Sequence, residues 1–300
     1  MIGTVIKKTA LNFTIFDKEK KEEVIAFPRK KIKSEINIMV GDVVNYNLID
    51  NSFVIENVLE RKNYIKRPSV ANIDYLAIVY SVKKPDFNSF LLNKFIAFYE
   101  SFNIDKVIII FTKMDLLTQK ELKDFNEIFK AYKKDKYICL NSNDKKDIEF
   151  FKSLFEDEIV CCLAGQSGVG KSTLINKIIP NSQIATQEIS KSLNRGKHTT
   201  TTASLVKFNN GFFIDTPGFS SIEFDFSAED LARSYNDFRM YASECKFSNC
   251  LHDSNSVGCN VIKKVNENKI YKQRYLDYLK MLDQIQSKNK NNFLNYKKKK

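Results

Sequence analysis

The residues Gly165, Gln166, Ser167, Gly168, Val169, Gly170, Lys171, Ser172 and Thr173 fit the pattern G-x-x-x-x-G-K-S/T. That spacing suits phosphate binding. The glycines let backbone N–H groups turn inward around phosphate oxygens, and a helix N-terminus adds partial positive charge there. Lys171 is expected to reach the β and γ phosphates, and Ser172 to place its hydroxyl on Mg2+. The flanks agree: an apolar run at 159–164 predicts a buried strand, and 173–179 a helix. Asp215-Thr216-Pro217-Gly218 follows another apolar run at 212–214. Its aspartate can hold Mg2+ through water, and Gly218 lets its N–H approach the γ-phosphate. Between them lies Arg195-Gly196-Lys197-His198-Thr199-Thr200-Thr201-Thr202, a segment suited to ordering around metal and γ-phosphate. Thr200 is the expected metal ligand, with Thr199 and Thr201 as rivals.

Base choice is read from Thr112-Lys113-Met114-Asp115, which follows the apolar run 107–111 and fits N/T-K-x-D. Asp115 can accept both N1–H and the exocyclic amine of guanine, a donor pair that adenine lacks. The expected nucleotides are therefore GTP and GDP. Lys113 is expected to lay its stem over the base. Thr112 stands where Asn is more usual. Asn141-Ser142-Asn143 stands where a supporting loop for the guanine is expected, with Asn141 and Ser142 as its candidates. These base motifs precede the phosphate loop, whereas most GTPases carry them last. The sheet still assembles if the usual ends are joined and a new break is opened, a circular permutation. Phe219 occupies the position where a Ras-like enzyme carries Gln, which predicts slow intrinsic turnover. His198 is the candidate for orienting the attacking water, and His198, Lys171 and Thr200 form the expected catalytic set.

Cys245, Cys250, His252 and Cys259 fall within 15 positions. Three thiolates and one imidazole suit a closed, structural tetrahedral Zn2+ site. Cys139, Cys161 and Cys162 lie in apolar runs and read as core.

The elements that must position these groups follow from patterning. Residues 1–60 contain short alternating runs at 3–6, 11–16, 23–27, 39–48 and 53–58, which suggest a small barrel such as an OB-fold. Residues 61–68 are basic and end in Pro68, and read as an extended linker. From residue 73, apolar runs at 75–82, 107–111, 137–140, 159–164 and 212–214 alternate with helical stretches at 89–102, 118–133, 148–155 and 171–179. That alternation predicts a parallel α/β sheet. The C-terminal part is expected to be mostly helical, ending in a helix near 261–285. The divisions expected are 1–67, 68–225 and 226–300.

The charge of +12 is unevenly spread. Residues 1–67 hold 13 basic and 9 acidic residues, 68–239 hold 22 of each, and 240–300 hold 13 basic and 5 acidic. Basic flanks around a neutral centre suit a polyanionic partner. No apolar run is long enough to span a membrane, and residues 1–8 lack the plan of a signal peptide, so a cytoplasmic protein is expected.

Together these residues resemble the bacterial ribosome small subunit-dependent GTPase A family, the circularly permuted ribosome-biogenesis GTPases. The resemblance rests on Arg61-Lys62 with Arg67-Pro68, Ala71-Asn72-Ile73-Asp74 and Thr112-Lys113-Met114-Asp115-Leu116. It rests further on the phosphate loop, residues 195–201, Asp215-Thr216-Pro217-Gly218-Phe219, the Cys/His set, Arg274-Tyr275 and Tyr278-Leu279. It implies a multidomain chain with an N-terminal OB-fold β-barrel, a central permuted α/β P-loop GTPase and a C-terminal zinc domain. It also implies rRNA binding on the small ribosomal subunit near its decoding region in late maturation, stimulation of GTP hydrolysis by the subunit, and release afterwards. A monomer is expected. The chain departs from the family in Thr112 and in having six residues, where five are usual, between His252 and Cys259. A GTP-dependent switch for a protein partner, an RNA-binding module with weak turnover, and an ATPase are the alternatives.

Overall fold

A computed structural model of the 300-residue chain describes residues 1–29, 37–65, 69–104, 106–135, 137–179, 203–215 and 226–298, with backbone alone for Asp215 and 289–298. The N-terminal strands are β1 (Ile2–Lys8), β2 (Phe13–Asp17), β3 (Glu23–Pro28), β4 (Val43–Ile49) and β5 (Ser52–Val58). They pair in the order β1-β2-β3-β5-β4, and β1 also pairs with β4, so the five strands close on themselves. Closure removes the free edges, and Val5, Phe13, Ile15, Ala26, Val44, Tyr46 and Ile55 fill the interior. The fourth strand begins later than the 39–48 run suggests. Asp42 is fully buried; its carboxylate accepts from the Met39 N–H at 2.7 Å and from Arg61 at 2.6 and 2.7 Å. A buried carboxylate needs such donors, and the chain turns at 41–42 to supply them.

Arg61 thereby anchors a stretch that reads as a linker in the sequence. Strands β6 (Tyr64–Ile65) and β7 (Val70–Ala71) pair as a small hairpin, and Asn63 both donates to and accepts from the Ile73 backbone at 2.8 Å. Side-chain bonds replace the freedom that composition implies.

The α/β part comprises β8 (Tyr75–Ser81), α1 (Ser89–Glu100), β9 (Lys106–Thr112), α2 (Gln119–Lys134), β10 (Ile138–Asn141), α3 (Lys145–Ser153), β11 (Val160–Ala164), α4 (Lys171–Ile178), β12 (Ser204–Phe208) and β13 (Gly211–Asp215). Strands β10-β9-β8-β11-β13 are mutually parallel, and β12 lies antiparallel to β13. Alternate residues serve opposite faces. Leu76, Ile78, Ile109, Phe111 and Cys162 pack with α1 and α2, whereas Ala77, Val79, Ile110, Cys161 and Phe213 pack with α3 and α4. Burial on both faces is why these strands read as continuous apolar runs. Thr118 and Glu121 form a capping box that starts α2, which explains the helical signal at 118. Strand β12 is half-exposed and mixed, so no apolar run announces it. It carries the sheet onward, because Lys7 of β1 pairs with Ser204 and the Lys207 ammonium lies 4.0 Å from the Phe16 ring centroid.

The C-terminal helices are α5 (Ala228–Ala232), α6 (Asn236–Ala242), α7 (Asn260–Asn266) and α8 (Lys272–Lys298). The single helix expected near 261–285 is therefore two. Asn268 takes φ 55°, a left-handed conformation that ends a helix. Arg274, in the first turn of α8, is fully buried. It bonds Asp237, lies 3.1 Å from Asp135 and donates to Tyr137 Oη at 2.5 Å. Burial holds Glu100 up at about 7 and Asp135 up at about 6 even though Arg274 pulls both down.

Arg274→Met leaves these carboxyls without their cation, an expected loss of about 3–5 kcal/mol. Their folded pKa values lie above the unfolded ones. Their ionisation therefore destabilises the fold as pH rises through about 6 to 7. Urea unfolding should accordingly show a larger deficit near pH 8 than near about pH 5. An equal deficit at both would remove the carboxyls from the account.

Candidate nucleotide pocket and metal centre

Strand β11 is buried throughout and delivers the chain to Gly165. Gly165 takes φ 146°, and a Cβ there would stand 2.3 Å from the Val79 carbonyl oxygen, so only glycine lets the loop leave the sheet here. Gly168 and Gly170 also have positive φ, and Gly170 sits at the N-cap of α4. The helix N-terminus, with Lys171, Ser172 and Thr173 in its first turn, faces the loop it follows. The Lys171 ammonium folds back and donates to the carbonyls of Gly165 at 2.5 Å and Gln166 at 2.6 Å. Burial lowers its pKa to about 8. Among the described residues no carboxylate pairs with it, and a half-buried cation so placed suits an arriving anion.

The base motif closes against this loop. Thr112 ends β9, and its hydroxyl donates to the Val169 carbonyl at 2.5 Å. Lys113 adopts φ 60°, and its ammonium donates to the Gly168 carbonyl at 2.8 Å and to the Lys84 carbonyl. Asp115 lies in the short 3-10 turn Met114–Leu116. Beside it, the turn after β10 is held by the Ser142 N–H on the Phe111 carbonyl at 2.9 Å. Asn143 Nδ2 donates to Asp115 Oδ1 at 2.6 Å. A cavity of about 240 Å³ opens among Thr112, Lys113, Asp115, Asn143, Thr173 and Lys177. Segments 58 residues apart in the chain (112 and 170) thus share one pocket.

The expected site residues divide accordingly. Thr112, Lys113, Asp115, Ser142, Gly170 and Thr173 line the cavity, and Gly165, Gln166, Ser167, Gly168, Val169, Lys171 and Ser172 form the adjoining loop and helix start. Asn141 instead shapes its turn, accepting from the Asn143 N–H at 2.9 Å. Asp215 is the last residue of β13, which runs beside β11 in parallel with Ile214 level with Cys162. His198, Thr199, Thr200, Thr201, Gly218 and Phe219 lie outside the described residues. Lys177 escapes motif reading. Its signal is spacing, for it stands one helical turn beyond Thr173 and so shares a face with it.

The second centre joins Cys245, Cys250, His252 and Cys259, whose ligand atoms all lie within 4.8 Å of one another. Cys245 Sγ is 3.9 Å from Cys259 Sγ and 3.8 Å from His252 Nδ1, and Cys259 Sγ is 3.3 Å from Nδ1. A tetrahedron with Zn–S of about 2.3 Å has edges of about 3.8 Å, so the set fits a metal ion such as zinc. Sulfurs 3.9 Å apart are not a disulfide. Burial and the neighbouring thiols push Cys259 up to about 12, and burial lowers His252 to about 4. The imidazole is thus a neutral ligand, and a cation is what would favour the thiolates. The second layer is present: the Asn260 N–H approaches Cys245 Sγ at 3.3 Å, and the Ala232 backbone bonds the imidazole. Tyr275 Oη donates to the His252 carbonyl at 2.8 Å, which fastens α8 to the cluster. The six-residue spacing before Cys259 is accommodated.

A strand–loop–helix phosphate cradle, closed by a T-K-x-D motif that precedes it in the chain, defines a P-loop GTPase with permuted motif order. Comparison with known proteins reaches the same class. The model of the RsgA GTPase family matches residues 58–225, and that of the 50S ribosome-binding GTPases matches 160–296. The small ribosomal subunit biogenesis GTPase RsgA of Malacoplasma penetrans is 52% identical over 95% of this chain and 99% of its own length. The protein of the same name from Ureaplasma urealyticum is 40% identical over 91% of each. Among solved structures, YloQ, a circularly permuted GTPase, superposes with a TM-score of 0.77 at 29% identity, covering 96% of this chain and 95% of that one. YjeQ from Thermotoga maritima gives 0.76 at 31% identity, covering 95% and 98%. The chain belongs to the RsgA GTPase family.

Proposed function

We propose that this chain hydrolyses GTP to GDP and phosphate while bound to the small ribosomal subunit during its late maturation, and leaves after hydrolysis. The observation that carries the reading is the Thr112–Val169 bond, which joins a guanine-type base motif to the phosphate loop around one cavity. The relatives named small ribosomal subunit biogenesis GTPase supply the partner.

In this reading Asp115 selects guanine and Lys171 draws the β and γ phosphates into the loop. Ser172, Asp215 and Thr200 would hold Mg2+, which when bound neutralises charge on the phosphates. Oxygen ligands of this kind suit a hard cation. His198 orients the attacking water when the subunit is bound, since Phe219 offers no polar group for that task. The barrel of residues 1–67 and the zinc-binding part of 226–300 grip rRNA on either side of a GTPase part at 68–225. The C-terminal excess of basic residues favours that partner. Among the described residues no helix is long and apolar enough to cross a membrane. We assign a cytoplasmic monomer.

The test is GTP turnover with and without purified small subunits. Turnover should rise with subunits and remain unchanged with large subunits. Binding to the subunit should weaken steeply with salt, by on the order of 10³ or more between about 50 and 200 mM if six or more phosphates are contacted. No stimulation, or salt-independent association, overturns the ribosomal reading and favours a protein partner.

A further inference from the structure

Lys177 lies on α4, outside every nucleotide motif, yet its side chain lines the cavity. Its ammonium donates to the Ser142 carbonyl at 3.0 Å, and among the described residues no carboxylate pairs with it. A lysine spent on a carbonyl at the mouth of a base pocket invites a reason.

The reason lies in how the pocket's parts are tied. Thr112 has a single hydroxyl proton, and that proton goes to Val169. An asparagine amide carries two donor hydrogens, so the usual residue could also reach a second loop. In this chain the 142–143 turn receives its side-chain tie from another direction. Lys177 holds the Ser142 carbonyl, and the next residue, Asn143, holds Asp115 Oδ1 at 2.6 Å. The ties therefore run from α4 to the turn and from the turn to the carboxylate. Asp115 is the group that must present both oxygens in the plane of the base. A carboxylate free to rotate about its sp3–sp2 bond samples that plane only part of the time.

We propose that Lys177 is a positioning residue for guanine selection, acting through Ser142 and Asn143 to set the orientation of Asp115. The inference rests on the reading that Asp115 receives guanine. Its readout is the 2-amino group, which guanine has and hypoxanthine lacks. Both bases share N1–H and O6, so the ratio of GDP to IDP affinity reports how well the carboxylate meets the amine.

Competition of GDP and IDP against a fluorescent GDP derivative tests it on the full-length, zinc-loaded protein. Lys177→Met should lower GDP affinity about tenfold, the scale of one charge-assisted hydrogen bond, and narrow the GDP/IDP ratio by a similar factor. Asn143→Ala, one link further along, should narrow the ratio likewise, and Lys177→Arg should restore most of it. The thermal midpoint of the nucleotide-free protein should stay put, since the lysine is on the helix surface. An unchanged ratio in Lys177→Met overturns the proposal. Equal losses for GDP and IDP would mean that the ammonium meets O6 of the base itself, and that too overturns it. Asp115→Ala serves as the reference. If it leaves the ratio intact, the base-pocket reading fails; if it flattens the ratio and Lys177→Met does not, the positioning role alone fails.

Discussion

Lys171→Ala is expected to lower GTP turnover on the order of a thousandfold, the upper end of what removing one preorganised donor costs. The side chain is poised before nucleotide arrives, with its ammonium on the Gly165 and Gln166 carbonyls at the mouth of the loop. It is half-buried, and that burial brings its pKa down to about 8. The desolvation already suffered makes an incoming triphosphate a better partner than it would be in water. Charge that develops on the transferring phosphoryl group is then expected to meet this cation, once the ammonium exchanges the two carbonyls for phosphate oxygens. The fold should survive, because α4 remains anchored through Leu174, Ile175 and Ile178 on the sheet. A thermal midpoint equal to or above the unaltered protein's is the control, since a desolvated charge has been removed.

The same lysine gives a pH signature. In the nucleotide-free protein it loses its proton as pH rises through about 8. Bound phosphates favour the charged form, so GTP affinity should fall above that pH. Titration of GTP binding from neutral to alkaline pH checks this. Turnover in Lys171→Ala within tenfold of the unaltered protein would remove the lysine from the chemistry.

Chelation of the Cys/His centre has the second large effect. Residues 243–259 form no helix or strand, so the backbone there is ordered by turns and by its four converging side chains. Zinc bound to such a set contributes on the order of 10 kcal/mol to folding. Removal should therefore melt this segment as a unit. It should also loosen α7, whose N-cap is Cys259 itself, and release the Tyr275 bond from α8 to His252. The measurements are metal content, expected at one zinc per chain, and proteolysis with and without chelator. Cleavage should appear within 243–266 after chelation and disappear on adding zinc. Cys259→Ala should lose the metal and behave as the chelated protein does. Full protease resistance without metal would show that packing around Phe238 and Tyr278 suffices.

Local features were the most legible. The phosphate loop could be read from residue types because its glycines and its helix start are dictated within a few bonds, as Gly165 beneath the Val79 carbonyl illustrates. The Cys/His centre could be read from spacing. The parallel strands could be read because both their faces are covered. Strand β12 was hidden because one side remains half-exposed, and the 61–68 stretch read as a linker because the bond from Arg61 to Asp42 joins residues 19 apart.

Residue order along the chain by itself pointed to the chemistry: a phosphate-loop pattern, a guanine-type base motif, a zinc-type donor set and a permuted arrangement. Each depends on neighbours close in the chain, whose geometry covalent connection enforces. Only the tertiary structure decided that Asn143 meets Asp115 and Lys177 meets Ser142, that Arg274 lies buried between an acid at the end of α2 and one on α6, and that the barrel continues the sheet through β12. Those contacts join residues whose separation in the chain carries no period or pattern. They exist because burying the two faces of one sheet leaves few ways to place what remains.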